Sequence, residues 1–208
     1  MRHLAILAVL MALIGAGCGD GSTSDTTALT TTTEATTGTA TTVATLAGEC
    51  SATGAPPLAE QPELPPEVAS TRASIAAAAA ACDIDGLAQL ARRDPSFIFK
   101  VGAVGDPVGY WVQMEAAGET PMRHLLAIFN LPYGIFQVPD RDPSMYTWPA
   151  AAAYSTWSEV PIADQEAVLS VLGAEYGEQF QIDGFYTGPR IAMLESGIWT
   201  WYLTGSPG

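Results

Sequence analysis

Hydrophobic and polar positions divide the chain into three parts with different patterns. Residues 4–14 form an unbroken apolar run of 11 residues. Residues 23–46 contain 13 threonines and no aromatic side chain, which is too little apolar surface to offset the entropy of ordering them. From about residue 50, apolar side chains recur at the spacings of helices and strands. The pattern predicts three segments: a signal segment at 1–17, a disordered Thr-rich linker at 18–48, and one globular domain at 49–208.

Five stretches of the domain predict α-helices. Each follows or contains a proline or a capping side chain, which are the usual signals for the start of a helix. Either Asp83 or Asp85 is the expected cap of the second, short helix, which ends near residue 91. The other four predicted helices cover residues 66–81, 107–116, 121–129 and 161–172.

Strands are predicted between and after these helices. The runs at 97–101 and 146–148 predict strands, the second at a sheet edge, and the glycine-rich residues 102–105 predict a turn. Residues 190–194 and 198–203 predict a C-terminal hairpin, whose last strand has aromatic side chains on both faces, as in a strand covered on both sides. The expected fold class is α+β, with N-terminal helices packed on a small antiparallel sheet that ends in this hairpin.

Charge narrows the range of partners. The chain carries 22 acidic and 8 basic residues, a formal net charge of −14. From residue 50 onward there are 18 acidic and 7 basic side chains, a net charge of −11. An acidic chain without a basic block is poorly suited to binding nucleic acid or anionic lipid by charge, so no nucleic-acid partner is expected.

The N-terminus resembles the signal peptide of bacterial lipoproteins. Arg2 and His3 precede the apolar run, and Gly15-Ala16-Gly17 precede Cys18 in the manner of a lipobox, although that family usually has Leu where Gly15 stands. The resemblance implies cleavage before Cys18 and attachment of acyl chains, such as palmitate, to that cysteine. The protein would then be a membrane-anchored lipoprotein on the extracytoplasmic face of the cell envelope. Ordinary secretion is the alternative.

Two cysteines remain in the domain, Cys50 and Cys82. In an exported protein they form a natural disulfide pair, which would fasten the start of the domain to the end of its first helix. Two buried reduced thiols are the alternative.

The start of the domain resembles the nuclear-transport-factor-two-like cone fold. The similar part covers about 45 residues, in which two helices flank the Cys-Asp-Ile-Asp-Gly break at 82–86 and a strand follows. The resemblance implies a long helix packed into a curved sheet that leaves a pocket. The long insertion before the C-terminal strands departs from the compact pattern of that family.

Motifs for catalysis are weak. His124 is the one histidine of the domain, so a His-rich metal site is excluded, and no metal or cofactor is expected. The sequence has no Gly-x-Ser-x-Gly element, and residues 102–105 lack the Lys-Ser/Thr of a phosphate-binding loop. No catalytic residue is therefore assigned, and His124 remains the candidate general base of an alternative enzymatic function.

Aromatic side chains are the richest feature of the domain, and most of them are expected in the core. The four in the Pro-rich irregular stretch are candidate ligand contacts, because exposed aromatics are harder to explain by packing there: Tyr146, Trp148, Tyr154 and Trp157. Arg190 is a fifth candidate, for a ligand carboxylate, with an internal ion pair as the alternative.

The expected function is that of a lipid-anchored envelope protein, whose domain binds an unknown small molecule or envelope protein. The alternative is a small exported enzyme with a cone-fold pocket, which uses a carboxylate or His124 as general base.

Overall fold

The computed structural model describes residues 50–137 and 144–205, which include nearly the whole predicted domain. The signal segment at 1–17, the linker at 18–48 and the lipidation site Cys18 lie outside the described residues, so those predictions stay predictions. Among the described residues, no helix is long and apolar enough to cross a membrane.

Six α-helices are present in the described part of the chain. They are α1 (Pro66–Ala80), α2 (Ile84–Ala91), α3 (Val108–Ala117), α4 (Pro121–Phe129), α5 (Ile162–Leu172) and α6 (Glu175–Asp183). The first five match the predicted helices, and Asp83 is the cap of α2, because its carboxylate accepts a hydrogen bond from the amide of Gly86 at 2.8 Å. The sequence pattern missed α6, whose one large buried side chain is Phe180. A single apolar position shows no helical period.

Within residues 50–137 and 144–205, six strands form one mixed sheet. They are β1 (Ile98–Lys100), β2 (Ala103–Val104), β3 (Gly134–Phe136), β4 (Met145–Trp148), β5 (Arg190–Leu194) and β6 (Trp199–Leu203), in the order β2-β1-β6-β5-β4-β3. The α+β class and the C-terminal hairpin β5–β6 are confirmed. The sheet differs from a purely antiparallel one at a single junction, because β1 pairs with β6 in parallel.

Two local predictions about the sheet need correction. The strand expected at a sheet edge, β4, lies inside the sheet, because the short strand β3 pairs with it on the outer side. The turn expected at residues 102–105 contains the two-residue strand β2, which folds back on β1. Gly102 and Gly105 flank β2 with φ values of +79° and +110°, which only glycine adopts without strain.

The hairpin β5–β6 occupies the middle of the sheet, and the largest buried side chains of the sheet include several of its residues. Ile191, Met193, Trp199 and Tyr202 are all fully buried. Trp199 stacks on Trp111 of α3, with ring centroids 5.8 Å apart, and Phe97 packs edge-on to Trp199 at 4.8 Å. These rings form one cluster with Tyr202, whose ring lies 6.0 Å from that of Trp111. The other residues of β6, at 200, 201 and 203, are half-buried, so coverage of the last strand on both sides stays a prediction.

The first described residues are tied to the body of the domain at two points. A disulfide joins Cys50 to Cys82, just beyond the end of α1, as predicted. The Glu115 carboxylate of α3 accepts hydrogen bonds from the Ser51 amide at 3.0 Å, from the Ser51 hydroxyl at 2.6 Å and from the Met122 amide at 3.0 Å. Glu115 and Ser51 thereby cap α4, a role that the sequence suggests for Thr120, whose side chain makes no capping hydrogen bond.

A buried arginine, Arg72, binds the N-terminal segment at Ala59, before the start of α1. Arg72 of α1 is 4% exposed and donates to the carbonyl oxygens of Ala59 and Phe129. Its guanidinium also lies over the rings of Phe129 and Trp148, at 5.6 and 5.9 Å from their centroids. Burial lowers the pKa of Arg72 from its usual value. Arg72 therefore connects α1, the end of α4, β4 and the N-terminal segment through carbonyls and ring faces.

Removing the disulfide should destabilise the domain substantially. The bond closes a loop with a sequence separation of 32 residues, which corresponds to about 3–4 kcal/mol in the chain-entropy model. We expect the double variant Cys50→Ala/Cys82→Ala to lose that free energy of unfolding in urea denaturation. Cys18→Ala, which removes the third thiol and leaves the bond intact, is the matched control and should unfold like the parent. Equal stability of the double variant and the parent would contradict the prediction.

Glu115→Ala should lower the free energy of unfolding by about 2–4 kcal/mol, because one charged acceptor serves three donors there. Glu115→Gln should lose less, since its amide oxygen still accepts. Glu178→Ala, at an exposed helical position of α6, should change stability by no more than about 0.5 kcal/mol. Urea denaturation of the three variants provides the comparison, and equal losses in Glu115→Ala and Glu178→Ala would argue against the capping role.

Candidate functional site

An open groove of about 880 Å³ lies at the end of the central hairpin, where β5 begins and β6 ends. Its floor is formed by Arg190 and Leu203, which are partners in the hairpin register, together with the residues that follow β6. One wall comes from α3 and the start of α4, and the opposite wall comes from α6. The principal lining side chains are Lys100, Tyr110, Met114, His124, Tyr176 and Arg190.

The wall formed by α3 ends sharply, which leaves the groove open on that side. Gly118 terminates α3 in the left-handed conformation, with φ of +80°, and nothing lies within 4 Å of the position where a Cβ would be. The chain can therefore reverse at once into α4 without filling the space beside Met114. This reversal brings His124, on the first turn of α4, to the same groove as Tyr110.

Arg190 is half-buried at the floor of the groove. Its Nη1 donates to the carbonyl oxygen of Gly188 at 3.2 Å, and its other nitrogens make no hydrogen bond to a described residue. No carboxylate among the described residues lies within ion-pair distance of it, so the internal ion pair expected as an alternative is not formed there. Burial lowers the pKa of Arg190, while the phenol of Tyr186 acts in the opposite direction.

The other cation of the groove lies beside an aromatic ring. Lys100 Nζ is 5.9 Å from the centroid of the Tyr110 ring. The Tyr110 hydroxyl shares a hydrogen bond of 3.0 Å with the hydroxyl of Thr204, which follows β6. This bond and the Phe99 ring, at 5.5 Å, hold the Tyr110 ring in a fixed orientation.

His124 is half-buried in the wall of the groove. Burial lowers the pKa of His124, the neighbouring positive charge of Arg123 lowers it further, and Glu115 acts in the opposite direction. The neutral imidazole can accept a proton. Among the described residues, however, the ring has no hydrogen-bond partner that would orient it as a general base requires.

The four aromatic side chains predicted as ligand contacts are not gathered around this groove. Tyr146, Trp148 and Trp157 are 8%, 0% and 4% exposed and belong to the core. Tyr154 is 37% exposed and lies outside the groove lining. Trp157 comes nearest to the groove, because its ring packs at 4.9 Å against Phe180, which contributes to the lining. Of the five predicted contacts, Arg190 alone lines the groove, and binding by the others stays a prediction.

Sequence reasoning missed Lys100, Tyr110 and Tyr176 as lining residues. Tyr110 and Lys100 appeared only as members of a predicted helix and strand. Tyr176 lies on α6, a helix that the sequence pattern does not predict because its apolar residues show no helical spacing. A periodic pattern identifies the buried side of an element, whereas these residues lie where three separate elements converge, and no single-element pattern records that.

Known proteins offer no guide to this site. The chain matches no known protein-family model, no curated protein and no solved structure. Within residues 50–137 and 144–205, no group of three or more His, Cys, Asp and Glu side chains could hold a metal ion. The groove must therefore be interpreted from its own chemistry: two cations, two tyrosine rings, a neutral imidazole and the acids Glu119 and Glu175.

The imidazole of His124 should titrate below its ordinary value of 6.5. Because the folded-state pKa is lower than the unfolded one, the stability linked to His124 is complete above about pH 6.5 and declines as the pH falls through the folded-state pKa. NMR titration of the ring protons measures the midpoint, with His124→Gln for assignment. Arg123→Gln should raise the midpoint, since a repelling charge is removed. A midpoint above 6.5 in the parent would contradict burial as the dominant cause.

Proposed function

We propose that this protein is an exported, lipid-anchored lipoprotein of the bacterial cell envelope and that its domain binds a partner without catalysing a reaction. The anchor is Cys18, and the Thr-rich linker holds the domain away from the membrane. The observation that carries the proposal is the Cys50–Cys82 disulfide. Such bonds persist in oxidising, extracytoplasmic compartments, to which the lipobox-like segment would direct the chain.

The groove supports a binding role for the domain. It is open to solvent, its cations are fixed on the central sheet, and its aromatic side chains offer apolar surface beside them. Binding sites commonly combine a few fixed polar groups with aromatic walls in this way. Catalysis by proton transfer would also require a base held by a third group, and the described contacts of His124 provide none.

A second candidate function, a small exported enzyme with His124 as general base, is favoured by one observation. His124 lines the same groove as Arg190, and its lowered pKa favours the proton-accepting form at neutral pH. The resemblance to the cone fold would suit this alternative, because that fold encloses a pocket. We prefer the binding function because the imidazole has no orienting partner in the described part of the chain.

The anchor is tested by the full-length variant Cys18→Ala, expressed in a bacterium that processes lipoproteins. We expect the parent protein in the membrane fraction and the variant in the culture fluid, because the acyl chains supply the membrane affinity. Immunoblots of the two fractions measure the distribution, and mass spectrometry of the N-terminal peptide detects the acyl chains directly.

Cys50→Ala/Cys82→Ala is the control for the loss of cysteines other than Cys18, and whatever protein accumulates should remain in the membrane fraction. Retention of Cys18→Ala at the membrane would refute the proposed anchor.

A further inference from the structure

We infer that the groove binds a small carboxylate-bearing ligand with a flat ring, and that the Arg190 guanidinium holds the carboxylate while Tyr110 and Tyr176 contact the ring. This inference rests on the proposed binding function and names the ligand class. It follows from three features of the groove: the contacts of Arg190, the rings beside it and the local balance of charges.

Arg190 differs from the other described arginines in what its donors contact. Arg92 forms an ion pair with Asp106, at 2.7 Å. Arg123 donates from Nε to the Ser51 carbonyl oxygen at 2.9 Å, and Arg93 is exposed to water. Arg72 is buried against carbonyls and rings. Arg190 is partly withdrawn from water, yet it makes a single hydrogen bond to a described residue, through Nη1.

A guanidinium has five N–H donors in a planar fork that matches a carboxylate. Among the described residues, the nitrogens of Arg190 other than Nη1 have no hydrogen-bond partner, and the residue lines the groove. Partial burial of a cation is unfavourable when no anion compensates it, and an ion pair with a ligand would supply that compensation. Gly188, its hydrogen-bond partner, lies just before Pro189 and the start of β5, so this bond holds the guanidinium near the end of the central hairpin.

The rings of Tyr110 and Tyr176 give the groove its apolar surface. The Tyr110 ring is held by Thr204 and Phe99, and the Tyr176 ring packs at 6.0 Å against the buried Phe180. Tyr176 is 38% exposed, so part of its face remains open. Both residues line the same groove as Arg190. A ligand with a flat ring can therefore contact these faces while its acid group reaches the floor.

The charges of the groove favour a carboxylate over a phosphate. Lys100 and Arg190 are balanced by Glu119 and Glu175, which line the same groove. The domain around them is strongly acidic, with a net charge of −11 from residue 50 onward. A dianion would be repelled more strongly by this surrounding charge than a monoanion, whereas one carboxylate needs only one guanidinium.

The experiment compares three probes of nearly the same shape: phenylacetate, its neutral amide phenylacetamide, and phenyl phosphate. The full-length protein is titrated with each probe, and ligand-observed NMR gives the dissociation constants. We expect phenylacetate to bind at least tenfold more tightly than the other two, because it alone combines a single negative charge with the ring.

The variants identify the residue responsible. Arg190→Gln should weaken phenylacetate binding at least tenfold and leave phenylacetamide unchanged. The affinity of Arg190→Lys for phenylacetate should lie between those of Arg190→Gln and the parent, since the ammonium keeps the positive charge but lacks the planar arrangement of donors. Arg93→Gln removes the same charge at a residue that does not line the groove, and its affinity for phenylacetate should equal that of the parent. Thermal unfolding of each variant checks that the domain remains folded. If Arg190→Gln does not fold, the phenylacetate affinities of Arg190→Lys and Tyr176→Leu are compared with that of the parent instead.

The inference is overturned if phenylacetate and its amide bind equally, if phenyl phosphate binds more tightly than phenylacetate, or if Arg190→Gln and Arg93→Gln lose affinity to the same extent. Absence of binding by all three probes also overturns it. These results are separable from the fate of the anchor, which the distribution of Cys18→Ala between membrane and culture fluid decides independently.

Discussion

The central hairpin β5–β6 is the constraint on which the rest of the domain depends. It is hydrogen-bonded on both of its edges, to β4 and to β1, and the three middle residues of β5 are all buried, so a slip of one residue would displace buried side chains. Trp199 and Tyr202 fasten it to the helices, through the stack on Trp111 and through the hydrogen bond that the Tyr202 hydroxyl donates to the Pro121 carbonyl oxygen. Burial raises the pKa of Tyr202 well above its usual value, so its hydroxyl remains a donor at all ordinary pH values. The positions of β1, α3 and α4 follow from this one register.

The groove is a consequence of the same register. Pairing of Arg190 with Leu203 places the start of one strand and the end of the other side by side, and the side chains there lie at the margin of the core. α6 covers this margin on one side through Phe180, while α3 and α4 cover it on the other. Because the helices end at Gly118 and Gly184, both in the left-handed conformation, neither wall closes over the hairpin end. The core thus fixes the floor of the groove, and the helix ends determine that it stays open.

Sequence patterns predicted the features that depend on neighbours along the chain. Proline and capping side chains indicate five helices, and apolar and aromatic runs indicate the terminal hairpin. The expectation of an exported, oxidised protein indicates the Cys50–Cys82 pair. What the sequence did not predict depends on contacts between distant segments. The cap of α4 comes from Ser51 and Glu115, 72 and 7 residues away from the amides that they cap. β3 is a three-residue strand defined by its pairing with β4. The groove lining has the same character, since no local rule relates Tyr176 to Arg190.

Arg72 and Arg190, both partly or fully buried, show how an arginine with a structural role differs from one that is available to bind a ligand. Both have pKa values lowered by burial, and neither has a carboxylate partner among the described residues. Arg72 is nevertheless engaged: two carbonyl oxygens and two ring faces surround it, and Nε alone lacks a partner. It stabilises contacts within the fold. Arg190 lines a groove together with two tyrosines and has one carbonyl partner among the described residues. The cost of withdrawing a charge from water must be offset by some partner, and the described contacts offset it to a greater extent at Arg72 than at Arg190. A further partner for Arg190 is therefore to be sought in the groove.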